Sequence, residues 1–280
     1  ESYYNFENWI YQMSYVSANT PWFFNGIRVQ TFPTDRLKLE YWIVNGWQSY
    51  GMFNESPGLG MQILWRPTGD FSFVSNLYYG HDTLNVANRL RAHTDTSVQL
   101  KYYDHANTYI DKSAFSFTLD LGCENGDGVK CAGSGDAAHQ LQNFFGIMAY
   151  NRIWFDKDKY GLTVGGGMIN NPGRYLVLLP PINGATASSA TQNSPYFTEN
   201  PGDSFRAWDS SITFNYMPSE NITYVLEFIH RHTNVPYFSG SGGITPAGGN
   251  TGNPTAVVPG FQPDLTNNEN RINLAMMIRL

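Results

Sequence analysis

The chain has 280 residues, with 17 basic and 23 acidic side chains and a formal charge of −6. Aromatic residues make up 15% and charged residues only 14%, against about 25% charged in a typical soluble domain. Mean hydropathy is still negative, at −0.36. Abundant aromatics exclude disorder, and an acidic balance excludes a general nucleic-acid binder, which needs a basic face. No run approaches the ~20 apolar residues of a membrane helix. The longest, around 175–182, is broken by Pro180 and Pro181.

Period two dominates instead. Strands are predicted near 23–31, 36–45, 58–66, 71–80, 92–103, 113–122, 141–155, 160–169, 205–217, 222–232 and 268–280. Leu37, Leu39, Tyr41 and Ile43 alternate with Lys38, Glu40, Trp42 and Val44. Phe115, Phe117, Leu119 and Leu121 alternate with Ser116, Thr118 and Asp120. Near the end, Ile272, Leu274, Met276 and Ile278 alternate with Arg271, Asn273, Ala275 and Met277. Neighbouring side chains on a strand point to opposite faces, so each segment has one apolar and one polar face.

The connections alternate short and long. FPTD (32–35), PTGD (67–70), DHANTYIDK (104–112), DKDK (156–159) and PSEN (218–221) are short and turn-rich. The segments 46–57, 82–91, 123–139, 171–203 and 234–266 are long and rich in Gly, Asn, Ser and Pro. Strands of this length joined this way predict an all-β, transmembrane, antiparallel up-and-down β-barrel, with short periplasmic turns and long extracellular loops. The strand at 23–31 runs toward the short turns, so an upward strand is expected before it. Residues 3–16, YYNFENWIYQMSYV, are expected to supply it and bring the count to about 12. Their alternation is poor, which leaves a missing N-terminal portion as the competing expectation.

Cys123 and Cys131 enclose the short segment ENGDGVK and predict a loop disulfide in an oxidising compartment. A metal reading needs further ligands, and His139 alone is thin support. Asp156 to Gly161 imitates the start of an EF-hand loop, but Gly167 at the twelfth position supplies no carboxylate. His230 and His232 stand two apart with no third ligand, so no metal is expected. Gly202-Asp203-Ser204 does not make a hydrolase without a partnered His. Gly165, Gly166 and Gly167 fall within a strand, which excludes a phosphate loop and suggests a bend or close strand approach. No enzyme and no cofactor are expected.

PWFFNGIRVQ (21–30), VNGW (44–47), LWRP (64–67), YYGHDT (78–83) and RLRAHTDTSVQLKYYD (89–104) together resemble the OmpL-like porin-2 family of β-barrel porins. The resemblance covers most of the chain and implies a Gram-negative outer-membrane channel, residues 1–280 forming one barrel domain. Its members are usually longer at the N-terminus, which again points to an absent N-terminal portion.

With the apolar sets facing lipid, the alternate residues line a lumen. Arg28, Gln30, Lys38, Glu40, Arg66, Lys101, Asp120, Arg152, Glu227, Arg231, Arg271 and Arg279 are expected there, eight basic and three acidic. The acidic excess is then expected mostly in the loops, at Glu55, Asp82, Glu124, Asp127, Asp136, Glu199, Asp203, Asp264 and Glu269. Basic rings inside low-dielectric walls favour anions. Twelve strands give a backbone radius of about 12 Å, which Arg and Trp42 side chains would narrow. Trp22, Phe23, Tyr41, Trp65, Tyr102, Tyr216 and Tyr224 are expected in the aromatic belts where lipid meets water.

Three functions compete at this point. The first is a porin in outer-membrane lipid that passes small hydrophilic solutes or ions with a weak anion preference. The second is an occluded structural barrel whose loops or outer wall bind partner proteins or a surface layer, as a homo-oligomer or with other envelope proteins. The third is a soluble secreted sandwich that binds glycans through its aromatics.

Overall fold

The computed structural model describes residues 7–18, 20–21, 23–52, 54–83, 86–105, 108–134, 140–172, 205–242, 244 and 264–279. Eleven strands form one antiparallel sheet in unbroken chain order. They are β1 (Gly26–Thr34), β2 (Leu37–Val44), β3 (Gly58–Trp65), β4 (Phe71–Gly80), β5 (Leu90–Asp104) and β6 (Ile110–Asn125). The order continues with β7 (Asn143–Phe155), β8 (Tyr160–Asn171), β9 (Phe205–Ser219), β10 (Ile222–Thr233) and β11 (Asn268–Ile278). Each of these eleven matches one expected from period two. Short connections gather at one rim, called lower here, and long ones at the upper rim.

The alternation sorts the residues by face. Ile43, Leu59, Leu77, Tyr79, Val164, Ile212, Leu226, Phe228, Leu274 and Met276 point outward and are exposed. An apolar surface this extensive is incompatible with water and suits lipid. The opposite face buries Glu40, Asp120, Arg152, Thr163, Asp209 and Glu227. Cys123 and Cys131 are joined, with Cα atoms 5.0 Å apart, and tie the β6–β7 connection to the top of β6.

The twelfth strand is not where it was expected. Residues 7–18 hold no strand; their regular element is a single helical turn, α1 (Tyr15–Ala18). They do climb from the lower rim toward the upper, but inside the sheet rather than in its wall. Trp9 packs edge-on against Trp154 near the bottom of β7, while the Tyr15 N–H bonds Asp209 higher on β9. The cause is burial. A wall strand needs one lipid face, whereas Ile10, Tyr15 and Val16 join Phe144, Met148, Tyr150, Ile169 and Phe205 in an apolar cluster. The sheet curls around this segment, but β1 pairs only with β2 and β11 only with β10 among the described residues.

Candidate permeation pathway

A climbing segment without a ladder leaves its backbone N–H and C=O groups unpaired unless the wall supplies partners. The wall does. Glu227, fully buried on β10, accepts from the N–H groups of Tyr11 (2.7 Å) and Gln12 (2.9 Å), from Thr213 Oγ1 (2.7 Å) and from Asn273 Nδ2 (2.9 Å). Asp209 accepts from the N–H of Tyr15 at 2.8 Å and of Gly167 at 3.0 Å. Arg152 donates to the carbonyl of Trp9 (3.1 Å) and to Asn215 (2.8 Å), and Arg231 donates to the carbonyl of Met13 (2.8 Å). Arg271 reaches the Gln12 side chain at 3.1 Å.

Two glycines clear the seat. A Cβ on Gly146 would stand 3.3 Å from the Val16 methyls, and one on Gly167 would stand 3.3 Å from Ser14 Oγ. The run of glycines on β8 therefore does permit a close approach, by the filling segment as well as by neighbouring strands.

The opposite side of the lumen is open. An upper cavity of about 500 Å³ lies between Met13, Phe24, Arg28, Trp42, Trp47, Tyr78 and His93. A lower cavity of about 460 Å³ lies between Glu7, Trp9, Arg66, Val74, Gln99, Ser116 and Tyr150. Ser17, Thr20, Asn76 and Asp95 line both, so the cavities meet at these four residues. The first lies toward the long-loop rim and the second toward the short-turn rim.

The expected lumenal residues divide into four groups. Arg152, Glu227, Arg231 and Arg271 face inward but hold the filling segment. Lys38 and Gln30 converge on Glu40 at 2.7 and 2.6 Å, while Asp120 binds His93 at 2.5 Å. Arg28, with its side chain 61% exposed, lies 3.9 Å from Glu40 and lines the upper cavity. Arg66 lines the lower one. Lys101 is paired with Asp70 and Asp104 at the lower rim, and Arg279 is exposed beyond the end of β11.

The expected separation of acid and base does not hold. Asp82 and Glu124, assigned to loops, grip Arg91 at 3.1 and 2.8 Å. Glu269 is on β11 and grips Arg271 at 2.5 Å and Arg231 at 3.6 Å. The inner wall is mixed, because each buried guanidinium needs a counter-charge or a carbonyl. Sequence reading also missed Asp95, His93 and Arg91. The signal was present, since all three share the parity of Lys101 on β5.

Of the expected belt aromatics, Tyr41, Trp65, Tyr102 and Tyr224 are exposed on the outer face. Tyr216 stands in a stacked row, Phe155–Tyr160–Tyr216–Tyr224, with neighbouring centroids 5.4–5.9 Å apart along the lower rim. Phe23 instead stacks on Tyr50 and lines the upper cavity. Trp22 lies outside the described residues. His230 and His232 face outward, bonded to Asn270 and Asn268 at 2.8 Å.

A lipid-facing outer surface and a polar inner face define the class: a β-barrel membrane protein. The chain matches the family described as "Putative beta-barrel porin-2, OmpL-like" over residues 1–260, and it belongs to that family. Membership of this porin family places the chain in the bacterial outer membrane and points to a channel rather than an enzyme. Among solved structures it is similar to the outer membrane channel DcaP of Acinetobacter baumannii. That likeness has 13% identity and a TM-score of 0.45, covering 74% of this chain and 56% of DcaP. It is also similar to the NanC porin, with 7% identity and a TM-score of 0.37, covering 90% and 91% of the two chains. No curated protein matches.

Proposed function

We propose that residues 1–280 act as one diffusion channel whose route is the pair of cavities beside the filling segment. Small hydrophilic solutes pass with a weak anion preference and no chemical step. The observation that carries this reading is the sharing of Ser17, Thr20, Asn76 and Asp95 by the two cavities. Much of the basic wall expected from the sequence is committed elsewhere. Arg152, Arg231 and Arg271 hold residues 9–13, and Lys38 is held by Glu40. The preference therefore rests on Arg28 above and Arg66 below, opposed by Asp95 and Glu7.

Planar-bilayer recording under a salt gradient tests this. A reversal potential of anionic sign is expected, and the double variant Arg28→Ala, Arg66→Ala should move it to zero or beyond. A cation-selective wild type would sink the preference. The filled side of the lumen favours a second reading, an occluded barrel whose loops or outer wall bind another copy, partner proteins or a surface layer. Folded, heat-modifiable protein that carries no current would establish that reading instead.

A further inference from the structure

Apart from Asp95, the inward carboxylates of the strand wall named above each have a structural task. Glu40 binds Lys38, Asp82 and Glu124 bind Arg91, Asp120 binds His93, and Glu269 binds Arg231 and Arg271. Glu227 and Asp209 accept backbone N–H groups of the filling segment. Asp95 has no ion-pair partner among the described residues. Its hydrogen bond there is a long one, 3.4 Å from Asn76 Nδ2, and Asn76 is itself fixed by Gln62 Nε2 at 2.7 Å. Opposite stand Ser17 and Thr20, which carry no charge.

We infer that Asp95 is the specificity-determining residue of the channel, its carboxylate at the junction of the two cavities holding the anion preference weak. The inference rests on the channel reading above. A negative charge where the route passes from one cavity to the other, between low-dielectric walls, raises the barrier to anions and lowers it for cations. Arg28 and Arg66 stand in separate cavities, so they draw anions in but do not set the barrier between them.

The test is the permeability ratio of chloride to potassium in planar bilayers for the full chain. Asp95→Asn, which keeps the shape and removes the charge, should raise that ratio roughly fivefold, equivalent to about 1 kcal/mol. Asn76→Asp adds a second carboxylate at the same junction and should reverse the preference to cations. Heat-modifiable migration on a gel shows that each variant is folded. Because the two substitutions act at one point with opposite sign, either folded variant decides the matter. Folded variants that conduct with unchanged ratios overturn the role of Asp95 and leave the channel reading intact. A folded wild type without current overturns the channel reading, and this inference with it.

Discussion

The lumen has two sides built on different principles. The β7–β11 side is a packed core: α1 and the residues before it, an apolar cluster, and buried charges that each satisfy a backbone group. The β1–β5 side has cavities, polar side chains on their walls, and Asp95, which forms no ion pair among the described residues. Both sides grow from the same alternation of apolar and polar residues. The difference is the partner each inner residue finds. An inward Arg or Glu can line water or hold protein, and only tertiary context decides which.

That comparison can be broken by substitution, and the largest effect is expected at Glu227. Its replacement by Ala leaves the N–H groups of Tyr11 and Gln12 without their acceptor. At about 1–3 kcal/mol for each such donor, the filling segment loses most of its hold. Proteolytic cleavage within residues 7–18 and a larger single-channel conductance are expected; protection like the wild type's would mean that Asp209, the arginines and the apolar contacts hold the segment without Glu227.

A smaller effect is expected at the seat itself. Gly146→Val places two methyls where Val16 and Phe144 already lie, and overpacking of this kind costs about 1–3 kcal/mol. Denaturant unfolding should register the loss, and conductance should rise in the same variant. The smallest effect is expected across the lumen. Gln99 lines the lower cavity, and Gln99→Ala should leave stability within about 0.5 kcal/mol. A cost there as large as at Gly146 would show that the two sides are equally packed.

Much of this was legible in the residues. Eleven strands, both rims and the disulfide follow from period two, the alternation of short and long connections and the spacing of Cys123 and Cys131. The upward course before β1 followed from topology, but its place inside the lumen did not. Poor alternation in residues 7–18 showed that a wall strand fitted badly, yet nothing local named Phe144, Met148 and Glu227 as its partners. The charge balance of the wall failed for a related reason. Glu269 stands on the polar side of an obvious strand, next to Arg271 in parity, and its position beside a long loop disguised it. Asp95 was readable by counting back in twos from Lys101.

The seating of residues 7–18 also sets an order of assembly. Tyr11 meets Glu227 across 216 positions and Gln12 meets Arg271 across 259. Contacts so distant along the chain form late, because loop-closure entropy opposes them until the intervening strands are in place. The segment translated before all eleven strands is therefore expected to dock after them. Until it docks, Arg152, Asp209 and Glu227 face an interior still wide enough for water to solvate them. On that order the nascent barrel would insert with a hydrated interior and become half solid only at its last step.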